Sequence, residues 1–356
     1  MKRSAMPRLL CALTASLCLL GVEAARAADW DASLKQEIER IDRESPGKLG
    51  VYVKRLKGGG SFNYGADQSW YLGSTVKVPI AISVLQQLDA GKLKLSDSMT
   101  LQPGDRIEAG QLVWRQPGAA ITIDELLKRM LGDSDNTAAN MLIRKVGVEQ
   151  VNESAKDAMG KDGLGTLTTL AQVRYDVYAE LHPDARKLSN DQLVKIASVP
   201  IGPQRVEALR NAMKMGKAEL KAKTFDEAYD RYYQRNLNSA TLVAYGAMLE
   251  KLVQGKLLKP DSTQKLFTAM KIDIFTNYRL QAGLPRSVKF IHKTGTQHRR
   301  ACHSGVINPQ NGGADAIVVV TCAADLDEQR EAGKVFERVG RAITQTMLGG
   351  ASAAVR

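Results

Sequence analysis

Three short runs hold the residue types that acyl transfer requires. Ser74-Thr75-Val76-Lys77 opens an amphipathic stretch, Ser134-Asp135-Asn136 lies on a loop between two helical stretches, and Lys293-Thr294-Gly295 falls in a β-branched run near the carboxyl end. A helix beginning at Ser74 puts Lys77 one turn on and on the same side as the hydroxyl. A serine hydroxyl is inert at neutral pH until a base takes its proton, and a lysine does so only where burial and nearby positive charge keep its amine neutral. Ser-x-x-Lys alone carries little weight, because Ser45-Pro46-Gly47-Lys48 and Ser262-Thr263-Gln264-Lys265 fit it too. The ordered set of three runs singles out Ser74. Taken singly, Ser134-Asp135-Asn136 reads as a helix N-cap and Lys293-Thr294-Gly295 as an edge strand ending in a turn.

The elements that must bring these runs together can be read from periodicity. Residues 30–44 carry Leu34, Ile38 and Ile41 on one helical face, and strands follow at 49–53 and 61–64 around Gly58-Gly59-Gly60. Helical spacing then continues to about residue 260, and the charged stretch Val206 to Tyr233 reads as a solvent-facing helical segment. Strands return at 287–293, 304–307 and 316–321, and a helix closes the chain over 328–347. This order cannot make alternating βαβ units. It predicts an α/β fold in which a five-stranded antiparallel sheet is built from both chain ends and flanked by terminal helices. The α/β part covers about 28–73 and 262–356, and an all-helical part about 74–261.

Composition sets outer limits. With 356 residues, 44% apolar and 25% charged, the chain can close one or two cores, which excludes disorder, collagen and coiled coil. Leu9 to Val22, preceded by Lys2, Arg3 and Arg8 and followed by Ala25-Arg26-Ala27, reads as a secretory leader over 1–27. A mature chain from Ala28 would work in the periplasm or outside the cell, with no membrane insertion. Removing four cations and one anion with the leader leaves +9 from +12. Those charges are scattered without basic runs or aromatic platforms, so nucleic acid is not the expected partner. Cys302 and Cys322 sit symmetrically about Gly312, where a hairpin would oppose their sulfurs as a disulfide or as two buried thiols. His292, His298 and His303 lack an acidic companion, so no metal and no cofactor are expected.

The three runs, in this order, make the chain resemble the penicillin-recognising serine hydrolases, and among them the class A β-lactamases most closely. Ser134 to Asn140 continues as that family does, Arg279-Leu280-Gln281-Ala282-Gly283-Leu284-Pro285 is similar to its lead into the final sheet, and sixty residues separate Ser74 from Ser134. The likeness covers about 30–165 and 240–348. It implies the β-lactamase/transpeptidase fold and an acyl-enzyme on Ser74, with Lys77 as base and Ser134 as the proton donor to the leaving nitrogen. It also implies an oxyanion hole from the Ser74 and Thr296 amides. Asn136 would hold the acyl amide, and Lys293, Thr294 and Gly295 the substrate carboxylate; Arg299, just past Thr296, reads either as a further cation for that carboxylate or as a solvated surface charge. The partner is then a small molecule, a β-lactam or a peptidoglycan stem peptide, bound by a monomer.

One family element is missing. Class A enzymes carry Glu-x-x-Leu-Asn after Ser-Asp-Asn, and its carboxylate activates the deacylating water. Residues 166–172, Thr-Leu-Thr-Thr-Leu-Ala-Gln, stand at about that place without an acid. The Ser134-to-Lys293 gap is also about fifty residues longer than usual, so a helical insertion over about 170–235 is expected, with Glu180 and Asp176 as candidate substitute acids. Three functions fit: β-lactam hydrolysis, a D-Ala-D-Ala peptidase or transpeptidase, and a penicillin-binding sensor without efficient turnover.

Overall fold

Leu34, Ile38 and Ile41 form a buried stripe on the first helix, α1 (Trp30–Glu44). Those three side chains contribute roughly 5–9 kcal/mol gross, enough to hold a helix of 15 residues that would be marginal alone in water. This computed structural model describes residues 30–216 and 219–349; the expected leader, 1–27, lies outside them.

From α1 the chain enters β1 (Lys48–Arg55), β2 (Ser61–Tyr64) and the short β3 (Ser69–Tyr71). A helical region follows: α2 (Lys77–Asp89), a small ribbon of β4 (Ser98–Thr100) with β5 (Ala120–Thr122), α3 (Ile123–Gly132), α4 (Asn136–Val146) and α5 (Val148–Met159). Then come α6 (Leu170–Leu181), α7 (Asn190–Ala197), α8 (Pro203–Met213) and α9 (Phe225–Tyr233). After β6 (Ser239–Thr241), which pairs with β3, α10 (Leu242–Val253) and α11 (Pro260–Ala269) lead to β7 (Phe290–Gln297), β8 (Arg300–Ile307) and β9 (Ile317–Ala324). Helix α12 (Ala332–Met347) ends the described fold.

The sheet order is β2-β1-β9-β8-β7, antiparallel throughout, as the element order predicts. Strand β9 is central and buried along its whole length, which is why it reads as an unbroken apolar run. One sheet face packs Val51, Val53 and Val319 against α1 and α12; the other packs Val318, Val320 and Ile291 against the helical region. Cys302 and Cys322 are direct cross-strand partners with Cα atoms 4.0 Å apart, and they are joined as a disulfide rather than left as thiols.

The stretch Val206 to Tyr233 corrects its sequence reading. It is not simply solvent-facing: Leu209 of α8 and Phe225, Ala228, Tyr229 and Tyr232 of α9 are buried in a third core with Val173, Val177 and Leu181 of α6. Its charges occupy the other helix faces, and they masked a stripe at helical spacing.

Candidate active site

Ser74 lies half-buried on a 3-10 turn, Gly73–Val76, immediately ahead of α2. Gly73 has φ +54°, and a β-carbon there would stand 2.8 Å from the Thr296 amide nitrogen. A β-carbon at Gly295 would overlap the Leu72 carbonyl oxygen and come within 3.1 Å of the Ser74 nitrogen. The two glycines therefore let edge strand β7 press against the turn, which brings the Ser74 and Thr296 backbones to one contact at the cleft. That is the arrangement an oxyanion hole needs.

Lys77 is wholly buried in the first turn of α2. Its Nζ lies 3.0 Å from Ser74 Oγ, 3.0 Å from Ser134 Oγ, 2.5 Å from the Ser134 carbonyl and 2.7 Å from Asn136 Oδ1. Burial pushes the amine well below the usual lysine range, the Lys293 charge pushes it the same way, and Asp135 opposes them. A neutral amine has two N–H bonds and one lone pair. The two carbonyl-type oxygens can only accept, so they take the N–H bonds and leave the lone pair to accept from a serine hydroxyl. The geometry thus places that lone pair within hydrogen-bonding reach of both Ser74 and Ser134.

Ser134 is held in the left-handed region, φ +56°, a conformation that costs a non-glycine residue about 1–2 kcal/mol. Next to it, Asp135 caps α4: its carboxylate accepts from the Ala138 amide at 2.9 Å and the Leu112 amide at 2.8 Å. The helix-cap reading holds for this run. Asp135 anchors it from behind, while Ser134 and Asn136 reach Lys77. Asn136 Nδ2 also donates to the Glu108 carbonyl at 2.8 Å.

Lys293, buried on β7, donates to Ser134 Oγ and to the Thr294 carbonyl, each at 3.0 Å. Burial first, then Arg279 and Lys271, push its amine down to about 7. Buried Arg279 donates to the Gly295 and Cys302 carbonyls at 2.9 and 2.8 Å and to Thr296 Oγ1 at 2.8 Å, which puts a guanidinium behind the end of β7. Arg279 belongs to the run read only as a lead into the sheet, and nothing in its spacing marked it as a site residue. The cation expected at this end, Arg299, turns away. It sits in the β7–β8 turn beside Asp325 at 3.5 Å and Asp230 at 3.9 Å. His292 lies on the sheet face opposite Lys293, 3.1 Å from His303.

The two substitute acids are also corrected. Asp176 is buried against Arg186 at 2.7 Å and Arg235 at 3.4 Å, and Glu180 lies 3.7 Å from Arg235. Both are tied to the insertion's cations, and the cleft around Ser74 is lined instead by Leu170, Val173 and Arg174 of α6. Leu170 is fixed there by its amide, which donates to Asn140 Oδ1 at 2.8 Å. Glu108 and Arg174, which spacing did not reveal, line the same cleft with Asn136, Tyr71, Thr296 and Gln297. The Arg174 guanidinium grips Glu108 Oε1, leaving Glu108 Oε2 buried without a partner.

Residues 33–347 match the family described as the Beta-lactamase enzyme family. A β-lactamase of Rhodobacter capsulatus is 32% identical over 134 residues, covering 38% of this chain and 43% of that protein. β-Lactamase PSE-4 of Pseudomonas aeruginosa is 27% identical over 114 residues, covering 32% and 40%. The chain therefore spans less than half the length of these curated relatives. The solved structure of PBP-A superposes with TM-score 0.65 at 21% identity, over 88% of this chain and 95% of that one. A β-lactamase of Xanthomonas campestris pv. campestris gives TM-score 0.65 at 21% identity over 88% and 97%. At these identities the superpositions establish the fold; with the family match spanning nearly all the described residues, the chain belongs to the β-lactamase enzyme family.

Proposed function

We propose that the chain is a serine hydrolase that forms an acyl-enzyme with β-lactams at Ser74. The observation that carries this reading is the buried Lys77 amine, 3.0 Å from both serine hydroxyls and surrounded by acceptors that leave its lone pair to Ser74. Lys77 takes the Ser74 proton as Oγ attacks the lactam carbonyl, and the Ser74 and Thr296 amides stabilise the oxyanion. Ser134 then gives its proton to the lactam nitrogen as the C–N bond breaks, and is reprotonated from the Lys77 ammonium. Lys293 and Thr294 hold the substrate carboxylate, a charge-assisted contact. The Cys302–Cys322 disulfide supports work in an oxidising compartment, in keeping with the leader.

A second reading, a D-Ala-D-Ala peptidase of the cell wall, is favoured by one specific observation. Leu170 faces the cleft where an acid is expected, and among the described residues the only carboxyl lining it, Glu108, is already gripped by Arg174. Such a site acylates readily and hydrolyses its ester slowly. Incubation with a chromogenic cephalosporin and with a stem pentapeptide, followed by intact-mass measurement, separates the readings. Colour without a trapped adduct supports the lactamase, D-alanine release the peptidase, and a lasting adduct the sensor. Ser74→Ala is expected to abolish every adduct, and an adduct in that variant would refute the assignment.

A further inference from the structure

Helix α3 ends at Gly132 and α11 at Ala269, and both ends line one cavity of about 470 Å³ that shares no residue with the Ser74 cleft. Small-molecule sites commonly occupy roughly 300–1,000 Å³. Leu127 and Ala269 make its floor apolar, and around it stand Lys128, Lys265 and Lys271 with a single acid, Asp124. Asp124 is shared, 2.7 Å from Lys128 and 2.5 Å from Lys265. Lys271 has no ion-pair partner among the described residues, and Asp273, two positions on, is taken by Lys289 at 2.5 Å. The last carbonyls of the two helices add about half a negative charge each. Three full positive charges against Asp124 and those two ends leave about one positive charge over an apolar floor.

Lys271 also stands beside the catalytic runs. It leaves α11 at φ +62°, and its stem lies against Gly132, two residues before Ser134, where a β-carbon would stand 3.9 Å from Lys271 Cε. On the other side the His292 amide donates to the Met270 carbonyl at 3.4 Å, which ties the end of α11 to β7 next to Lys293.

We propose that this cavity is a regulatory site for a free single-chain carboxylate, its head group paired with Lys271 and its chain on Leu127 and Ala269, and that filling it strengthens the hold of Lys293 on substrate. The inference rests on the Ser74 reading and adds a regulator to it. Charge carries the coupling. Besides burial, the groups that push the Lys293 amine down to about 7 are Arg279, ahead of β7, and Lys271, beyond α11. Lys77 of α2, His292 of β7 and His303 of β8 feel the Lys293 charge in turn, and all three are bases. Asp135, the acid of the neighbouring run, acts on Lys77 instead. An anion seated on Lys271 offsets one of the two cations, so Lys293 keeps its proton, and with it the substrate carboxylate, to higher pH.

Octanoate is the probe, and octylammonium is its control of opposite charge. Calorimetric titration of the full-length protein is expected to show one octanoate site and no binding of octylammonium at the same concentration. Lys271→Met should weaken octanoate about fivefold, the worth of one partly exposed ion pair. The second-order rate at which benzylpenicillin adds its mass, measured from pH 6 to pH 9 at constant ionic strength, reads the coupling. Saturating octanoate should move the falling alkaline limb up by about half a pH unit, making acylation about threefold faster at pH 8. Lys271→Met should be faster at pH 8 to a similar degree without octanoate and should not respond to it further. Octanoate that binds this variant as well as it binds the wild type, or a limb left in place by octanoate or by Lys271→Met, would overturn the proposal. So would a rate that octanoate lowers at every pH, since that would seat it in the Ser74 cleft. Octanoate binding that depends on Lys271 in a protein that forms no adduct would instead overturn the Ser74 reading, and the regulatory role with it.

Discussion

Two lysines share one serine, Ser134, and the proposed reaction gives them opposite tasks. Burial pushes Lys77 well below the ordinary lysine range, which favours the neutral amine that the proposed reaction uses as base, whereas Lys293, pushed down to about 7, must be charged to hold a carboxylate. A lysine loses charge as pH rises through its pKa, so acylation by an anionic β-lactam should fall above about pH 7. The second-order acylation rate is expected to drop toward tenfold per pH unit on that limb. Lys293→Arg, which stays charged, should flatten the limb, and a rate still level at pH 9 in the unaltered protein would deny Lys293 its role. Leu170 bears on the later step of the proposed reaction. Its amide is held by Asn140 and its side chain faces the cleft, so Leu170→Glu would put a carboxylate where the family carries one. General-base catalysis contributes about 10²–10⁴-fold, and the acyl adduct, followed by mass against time, should decay at least tenfold faster. The new anion would also raise the Lys77 pKa, so acylation at pH 7 should slow in the same variant.

At the scale of elements, the site exists because β7 lies against the turn bearing Ser74 more closely than a side chain would allow. Gly295→Ala would drive its β-carbon into the Leu72 carbonyl and part the strand from the turn. The sheet has four other strands to hold it, so we expect a protein that still folds but acylates at least 10²-fold more slowly, the cost of losing one oxyanion donor. A circular dichroism spectrum and adduct formation measured on the same sample check both halves. These elements were largely legible in the sequence. The stripe of Leu34, Ile38 and Ile41 and the β-branched runs of β7 to β9 gave the sheet and its terminal helices, and three ordered motifs gave Ser74, Lys77, Ser134, Asn136 and Lys293. Strands β3 to β6, three residues each, are too short to show a period of two. Glu108 and Arg174 are 66 positions apart and meet only through the fold. Asp176 and Glu180 looked plausible because they follow the missing motif in sequence, yet their helix turns them toward Arg186 and Arg235.

Over the whole molecule, two cores share the five-stranded sheet and a third lies among the helices of residues 170–233, and a histidine pair behind the cleft ties stability to pH. The Leu280 amide donates to His303 Nδ1 at 3.2 Å, so His303 carries its proton on Nε2 and donates it to His292 Nδ1 at 3.1 Å. His292 Nε2 is then a buried N–H without an acceptor. Neither ring has room for a second proton. Burial, with the Lys293 and Lys271 charges, lowers His292 to about 4 and holds His303 well below its ordinary 6.5. In the unfolded chain both rings take a proton near pH 6.5, so between that value and about 4 the unfolded state binds more protons than the folded one. Stability is therefore intact above pH 6.5 and is lost as pH falls through this window. His292 alone accounts for about 3 kcal/mol by pH 4. His292→Asn keeps an acceptor for His303 and removes one titration. In urea unfolding at pH 7.5 and pH 4.5, this variant should lose at least about 2 kcal/mol less than the wild type between the two conditions. Equal losses would mean that carboxylate protonation alone sets the acid limit of the fold.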